Sequence, residues 1–455
     1  MTSQQTSYRG PFAIITTLFF MWGFITVLVD ALVPRLRDVF ELSYFEAGVV
    51  QFAFFTAYAV FSIPGGKIIS RIGYKRGVVV GLLTMGLGCF LFYPAASLRI
   101  FPIFLMAMFV LAGGITILQV AANPYVAALG PEESASSRLN LSQAFNSLGT
   151  TIAPLISAAF ILSSNVLSSQ EIQVLSPTEL DAYYVSEASA VQGPFIILAV
   201  VIVVLAGIFA IIKLPAILEG DESKGGNYST ALKTKHLMLG AIGIFVYVGA
   251  EVSIGSYLVS YFLELDVRSL VSNSGFMTGV GNTLSRVFSD TQLGDMTPAQ
   301  IAGTFVFFYW GGAMVGRFIG SYLQLKFNPG KLLGLYGLVN VGLLLISMNS
   351  SAYVAFWSVL CIGLFNSIMF PTIFTLAIKK LGVHTAQGSG ILCTAIVGGA
   401  FIPPMYGFFA DKIGVQLAFF VPALCYLYIS WYGRFGSVID GAATTTQEED
   451  AVPAV

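Results

Sequence analysis

Apolar stretches long enough to cross a bilayer recur almost without interruption along the chain, parted by short polar, Gly/Pro-containing or charged punctuation. A spanning helix needs about 20 mostly apolar residues. Cutting at the punctuation predicts six helices over 12–34, 45–69, 77–97, 101–129, 138–164 and 193–218. Six more follow over 236–263, 300–325, 331–348, 352–381, 386–409 and 415–434. Between the sets, EGDESKGGNYSTALKT has the charge and glycine content of a flexible linker. The expected organisation is a six-helix bundle over 1–218, a linker over 219–235, a second six-helix bundle over 236–435 and a flexible tail over 436–455. The first apolar stretch is too long for a signal peptide and lacks a cleavage site, so it reads as a retained helix. Connections 163–193 and 264–298 are long and rich in Ser, Gly, Asn and Asp. The second contains GFMTGVGN, whose glycines lack the strand-to-helix context of a phosphate loop, and it reads as a flexible connector.

Composition agrees with lipid as the main solvent, since 56% of residues are hydrophobic and 10% charged, against roughly 25% charged in soluble domains. A net charge of -1 with no basic cluster argues against nucleic acid as a partner. Cys89, Cys361, Cys393 and Cys425 lie in apolar runs without disulfide or metal spacing. His236 and His384 are far apart and stand at predicted helix ends, so no catalytic constellation is expected and the chain does not read as an enzyme. Orientation follows from the basic residues, which are retained on the cytoplasmic side during insertion. Arg35, Arg37, Arg99, Arg268, Arg286 and Lys412 fall on one side. The rest of the 22 fall on the side of the N-terminus, which places both termini in the cytoplasm.

Ionisable groups inside a membrane helix are costly and tend to mark a transport path. Glu251, mid-way along the seventh helix, is a candidate acceptor for a hydroxyl-rich solute or a cation-linked carboxylate; it could also pair with Arg317. Asp30, before Pro34 in the first helix, either serves a cation or points to the interface near Arg35 and Arg37. Amides offer paired donors and acceptors. Gln119 and Asn123 are four residues apart and share a helix face, as do Gln143 and Asn146, three apart. Asn366 adds an amide in the tenth helix, and Trp22, Trp310 and Trp357 offer flat apolar surfaces. The halves echo each other, with NPYVAALG then Pro154 in the first and FPTIFTLAIKKLG then Pro403 in the second, as in transporters built from repeats.

FFMWGF, DALVP, YFEAGVVQFAFFTAY, AANPYVAALGPE, RLNLSQAFNSLGT, YVGAEVSIGSYL and FPTIFTLAIKKLG together resemble a major facilitator superfamily sugar transporter of the fucose:proton symporter family, near its glucose/galactose branch. The resemblance runs over nearly the full length. Gly66, Arg71, Gly73 and Lys75 match the superfamily's loop signature, and Ser70 stands where an Asp is usual. The resemblance implies an all-α membrane protein with twelve transmembrane helices in two six-helix bundles around a central cavity that opens alternately to either side. It implies import of a glucose/galactose-type hexose by cation symport, in the cytoplasmic (inner) membrane, by a functional monomer with no cofactor beyond the coupling ion. Asp30 matches the family's coupling acid, while Gln119 replaces a second acid of the fucose branch. With Thr26 near Asp30, sodium is slightly favoured over a proton, and Asp30 would then be the metal ligand. The implied coupling residues are Asp30, Thr26 and Gln119. The implied sugar-binding residues are Trp22, Gln119, Asn123, Gln143, Asn146, Glu251, Trp310 and Asn366. An uncoupled facilitator or exporter of the same fold, and a membrane sensor, are the alternatives.

Overall fold

The structure, a computed structural model, describes residues 8–39, 44–160, 175–215, 217, 226–288 and 292–439, with the side chains at 29–51, 154–160, 181, 184 and 187–191 excepted. Among the described residues twelve long helices follow in order. The N-terminal half holds α1 (Arg9–Val39), α2 (Tyr44–Ile72), α3 (Tyr74–Leu98), α4 (Phe101–Ala128), α5 (Ala135–Phe160) and α6 (Pro177–Ile211). The C-terminal half holds α7 (Lys235–Glu264), α8 (Pro298–Lys326), α9 (Pro329–Asn349), α10 (Ala352–Ile378), α11 (Gly382–Ile413) and α12 (Val415–Gly436). Among the described residues ten of these are long and apolar enough to cross a membrane. The remaining two, α5 and α8, carry Asn140, Gln143, Asn146, Arg317 and Gln324 and pack against each other across the two halves. A polar membrane helix of this kind is tolerable because a neighbouring helix satisfies its side chains.

Both long connections differ from expectation. Helix α6 begins at Pro177, well before 193, because Ser176 starts it with a capping box: its hydroxyl accepts from the Glu179 N–H at 3.4 Å, and the Glu179 carboxylate accepts from the Ser176 N–H at 2.9 Å. The Ser176 hydroxyl and N–H hold the Glu179 carboxyl below its ordinary value. That contribution is therefore present above the unfolded-state value and is lost as pH falls. The described residues of the 264–298 segment are likewise folded, with helices Val267–Ser272 and Gly275–Phe288 and a turn at Leu293–Asp295. It is tied down by the Arg268 side chain on Met296 O and by the Tyr353 hydroxyl on Leu270 O. In the linker, Asn227 caps a short helix, Tyr228–Lys233, through Thr230 N–H at 2.7 Å.

Helices α1 and α5 approach so closely that a Cβ at Gly149 would strike Phe20 O, and one at Gly23 would strike Asn146 O. Gly149→Val should therefore force the pair apart, at a cost of about 1–3 kcal/mol. Thermal unfolding in detergent should show a lowered midpoint for Gly149→Val and none for Gly207→Ala, where nothing lies within 4 Å of the added atom.

Each proline inside a helix leaves a carbonyl without its helical donor, and at two of them a side chain of another helix takes the donor's place. In α10, which is interrupted at Ser367 and Ile368, Pro371 frees Ser367 O, and Arg317 Nε donates to it at 3.3 Å. In α4, which runs on unbroken, Pro124 frees Val120 O, and the Ser389 hydroxyl of α11 donates to it at 2.8 Å from the opposite half. Such carbonyls must be satisfied inside the protein where water is excluded.

The halves meet along a seam that starts at the end of the bundle where α1 begins and α12 finishes. There Ser136 and Thr375 hydroxyls lie 2.6 Å apart, the Ser137 hydroxyl donates to Ser321 O at 2.7 Å, and Lys379 pairs with Glu132 at 3.4 Å. Further along, Asn140 Nδ2 donates to Arg317 O at 2.9 Å, and the rings of Phe145 and Phe318 meet edge to face at 5.8 Å. The seam reaches Thr151, whose hydroxyl donates to Met314 Sδ at 3.4 Å.

Candidate functional site

Midway along the seam, α4 and α5 bring three of the expected amides together. Gln143 Nε2 points to Asn123 Oδ1 at 3.5 Å, while Gln119 Nε2 donates to the Tyr58 hydroxyl of α2 at 2.7 Å. All three amides are buried between helices, and Asn123 Nδ2 donates to no protein acceptor. Asn146 stands apart: its Nδ2 donates to Phe19 O at 2.9 Å and so ties α5 to α1. Trp22 is buried on the same contact, 5.6 Å from the Phe19 ring.

On the other side, Glu251 of α7 is partly buried, with the Tyr247 hydroxyl beside it and Arg317 of α8 close enough to act on its charge. Arg317 is the residue that sequence reasoning underrated. The sequence offers it only as a partner for Glu251, yet its guanidinium reaches Ser367 O in its own half, and Gln143 O and the Ser147 hydroxyl in the other. One cation thus touches the break in α10 and the amide face of α5, with the Glu251 carboxylate in its field. The lone charge in the apolar run GGAMVGRFIG of α8 was the available signal; its reach into the other half was not.

Asn366 lies deeper than expected. At 0% exposure it is enclosed among α7, α8 and α9, donating Nδ2 to the Tyr309 hydroxyl at 2.8 Å and accepting Asn340 Nδ2 on Oδ1 at 2.9 Å. Its carbonyl accepts from Tyr247 at 3.4 Å, and Tyr309 also donates to Glu251 O at 3.4 Å, so Asn366 braces the helix segment that carries Glu251. Trp310 is 48% exposed, edge-on to Tyr309 at 5.1 Å and close to Gly255 of α7. Trp357 belongs to an aromatic cluster, with Phe308 at 5.4 Å and Phe276 at 6.1 Å.

Of the residues expected to couple a cation, Thr26 donates its hydroxyl to Trp22 O at 2.9 Å, which leaves its oxygen lone pairs free of that bond. The Asp30 side chain lies outside the described residues. Among the described residues no group of three His, Cys, Asp or Glu side chains gathers as a metal site.

Residues 12–402 match the Major Facilitator Superfamily. The chain belongs to that superfamily. This superfamily transporter is 49% identical over 437 residues to the glucose/galactose transporter of Brucella abortus biovar 1 (strain 9-941), covering 96% of each chain. It is 35% identical over 442 residues to the L-fucose-proton symporter of Escherichia coli (strain K12), covering 95% of this chain and 94% of that one. Its fold superposes on the crystal structure of the superfamily transporter FucP in the outward conformation with a TM-score of 0.84 at 34% identity, over 95% of this chain and 100% of that one. The transporter is thus a multi-pass membrane protein and not an enzyme, with the expected twelve helices in two bundles.

Proposed function

We propose that this transporter imports a monosaccharide of the glucose/galactose type by cation symport across the cytoplasmic membrane, with both termini in the cytoplasm. The observation that carries the reading is the meeting of both halves at Arg317, with hydrogen-bonding amides on one side and the Glu251 carboxylate on the other. Sugar hydroxyls need such paired donors and acceptors, and the name of the relative at 49% identity, a glucose/galactose transporter, supports a hexose. In this orientation the contacts at the terminal end close the cytoplasmic side, and alternating access means breaking that seam.

In this reading Gln119, Asn123 and Gln143 hydrogen-bond the sugar from the first half. Asn123 Nδ2 is a donor with capacity to spare, and the long Gln143–Asn123 contact gives way to a hydroxyl. Glu251 binds from the second half, with Asn366 as its brace, and Trp310 offers its exposed ring to the sugar's C–H face. Trp22 and Asn146 shape the wall between α1 and α5. Gln143→Ala should cost about 1–3 kcal/mol, or roughly tenfold or more in affinity; sugar titration of the purified protein with unchanged affinity would remove it from the site.

Asp30 is the coupling carboxylate. Sodium is the first reading, because Gln119 cannot titrate and Thr26 offers a hydroxyl oxygen one turn before Asp30 in α1. A proton is the second, favoured by the name of the fucose relative. Counterflow and uptake of labelled sugars in proteoliposomes decide both questions. Uptake that rises with sodium at fixed pH and survives collapse of the proton gradient supports sodium; dependence on the proton gradient alone supports the proton. Sealed vesicles that move no sugar of the panel would sink the transport assignment.

A further inference from the structure

At the terminal end, away from the amides and carboxylate, α2, α11 and the linker enclose a notch of about 540 Å³. Its wall carries Lys67 and Arg71, one helical turn apart on α2, with Ser70 beside them, and no described acid lines it. The linker contributes Asn227 and Tyr228, and α11 contributes Gln387.

The wall is held by specific bonds. The Tyr228 hydroxyl donates to Ile63 O at 2.5 Å, Gln387 Nε2 donates to Gly226 O at 2.9 Å, and the Asn227 N–H donates to His384 Nδ1 at 3.1 Å. Gln387 is only 2% exposed, yet its Oε1 accepts nothing within the protein. The notch therefore offers two cations and an unused buried acceptor, a combination that suits an anion carrying a hydroxyl.

The surface leading to the notch points to a lipid. Val60, Ile63, Lys67 and Arg71 recur at intervals of three and four residues, which puts them on one stripe of α2. Val60 and Ile63 are exposed apolar residues on that stripe. A stripe that is apolar at bilayer depth and basic at its end places acyl chains against the first part and an anionic headgroup against the second.

We propose that this notch binds the anionic headgroup of a membrane phospholipid, its phosphate on Lys67 and Arg71, its chains along Val60 and Ile63, and a headgroup hydroxyl donating to Gln387 Oε1. Because α2 belongs to one half and α11 and the linker helix to the other, the lipid fastens the halves together at this end. A ligand that binds one arrangement of the halves better shifts the equilibrium toward it.

The test is native mass spectrometry of the purified full-length transporter with phosphatidylglycerol or phosphatidylcholine of equal chain length. It needs no sugar and no coupling ion, so its outcome stands apart from the transport reading. Wild type should retain phosphatidylglycerol about tenfold or more over phosphatidylcholine, as expected for two cations at an anionic headgroup. Lys67→Gln with Arg71→Gln should erase that preference without moving the unfolding temperature, and Arg76→Gln with Lys331→Gln should keep it. Retention that survives loss of Lys67 and Arg71 would overturn the proposal. So would full competition by glycerol phosphate, which marks a site for soluble phosphate. A preference that emerges only when Glu219, Asp221 and Glu222 are neutralised would also overturn it, because the chain's own acids would then be the occupant.

Discussion

Glu251→Gln is expected to weaken sugar binding by tenfold to over a hundredfold while leaving the dependence on the coupling ion in place. A carboxylate accepts hydrogen bonds from two vicinal hydroxyls, and bonds to a charged group contribute about 1.5–3 kcal/mol. The Tyr247 hydroxyl and the field of Arg317 orient the charge, and the amide keeps the shape but loses it. Arg317 retains neutral acceptors at Ser367 O, Gln143 O and Ser147 Oγ, so the variant should still fold. Sugar titration and ion-dependent uptake on the same preparation read the two effects separately. Loss of ion coupling in step with that of Asp30→Asn would move Glu251 into the cation site, and unchanged transport would leave it a structural partner of Arg317.

Asp30→Asn should abolish accumulation against a gradient while counterflow continues. Uphill movement requires an ion whose binding favours one conformation of the carrier over another, and a neutral amide cannot hold that charge. Exchange of sugar for sugar needs no net ion movement and should survive. Accumulation at the wild-type level would take Asp30 out of the coupling step.

The twelve helices were legible because an apolar run of spanning length has few other uses, and even α5 and α8 stood out between their neighbours despite their polar faces. The start of α6 was not, since a capping box and the polar turns after it have the composition of a loop. Residue type marked Gln119, Asn123, Gln143 and Glu251 as misfits in an apolar helix, but it does not say which way a side chain turns. Asn366 looked equally suited to a substrate, and it faces inward to Tyr309 and Asn340. The reach of Arg317 depends on how two halves dock, a relation among residues more than 150 positions apart that no local pattern encodes.

The proline in α4 makes the closure of the terminal end sensitive to water. Val120 O has Ser389 as its donor only while α4 and α11 touch. If the halves parted into a dry gap, that carbonyl would stand bare at about 1–3 kcal/mol; if water followed at once, it would be met and the toll would vanish. In the proposed alternating access, opening is therefore easiest when water enters as the seam yields. A half-open, empty intermediate is disfavoured, and the same missing backbone rung that weakens one helix discourages the carrier from pausing between its two faces.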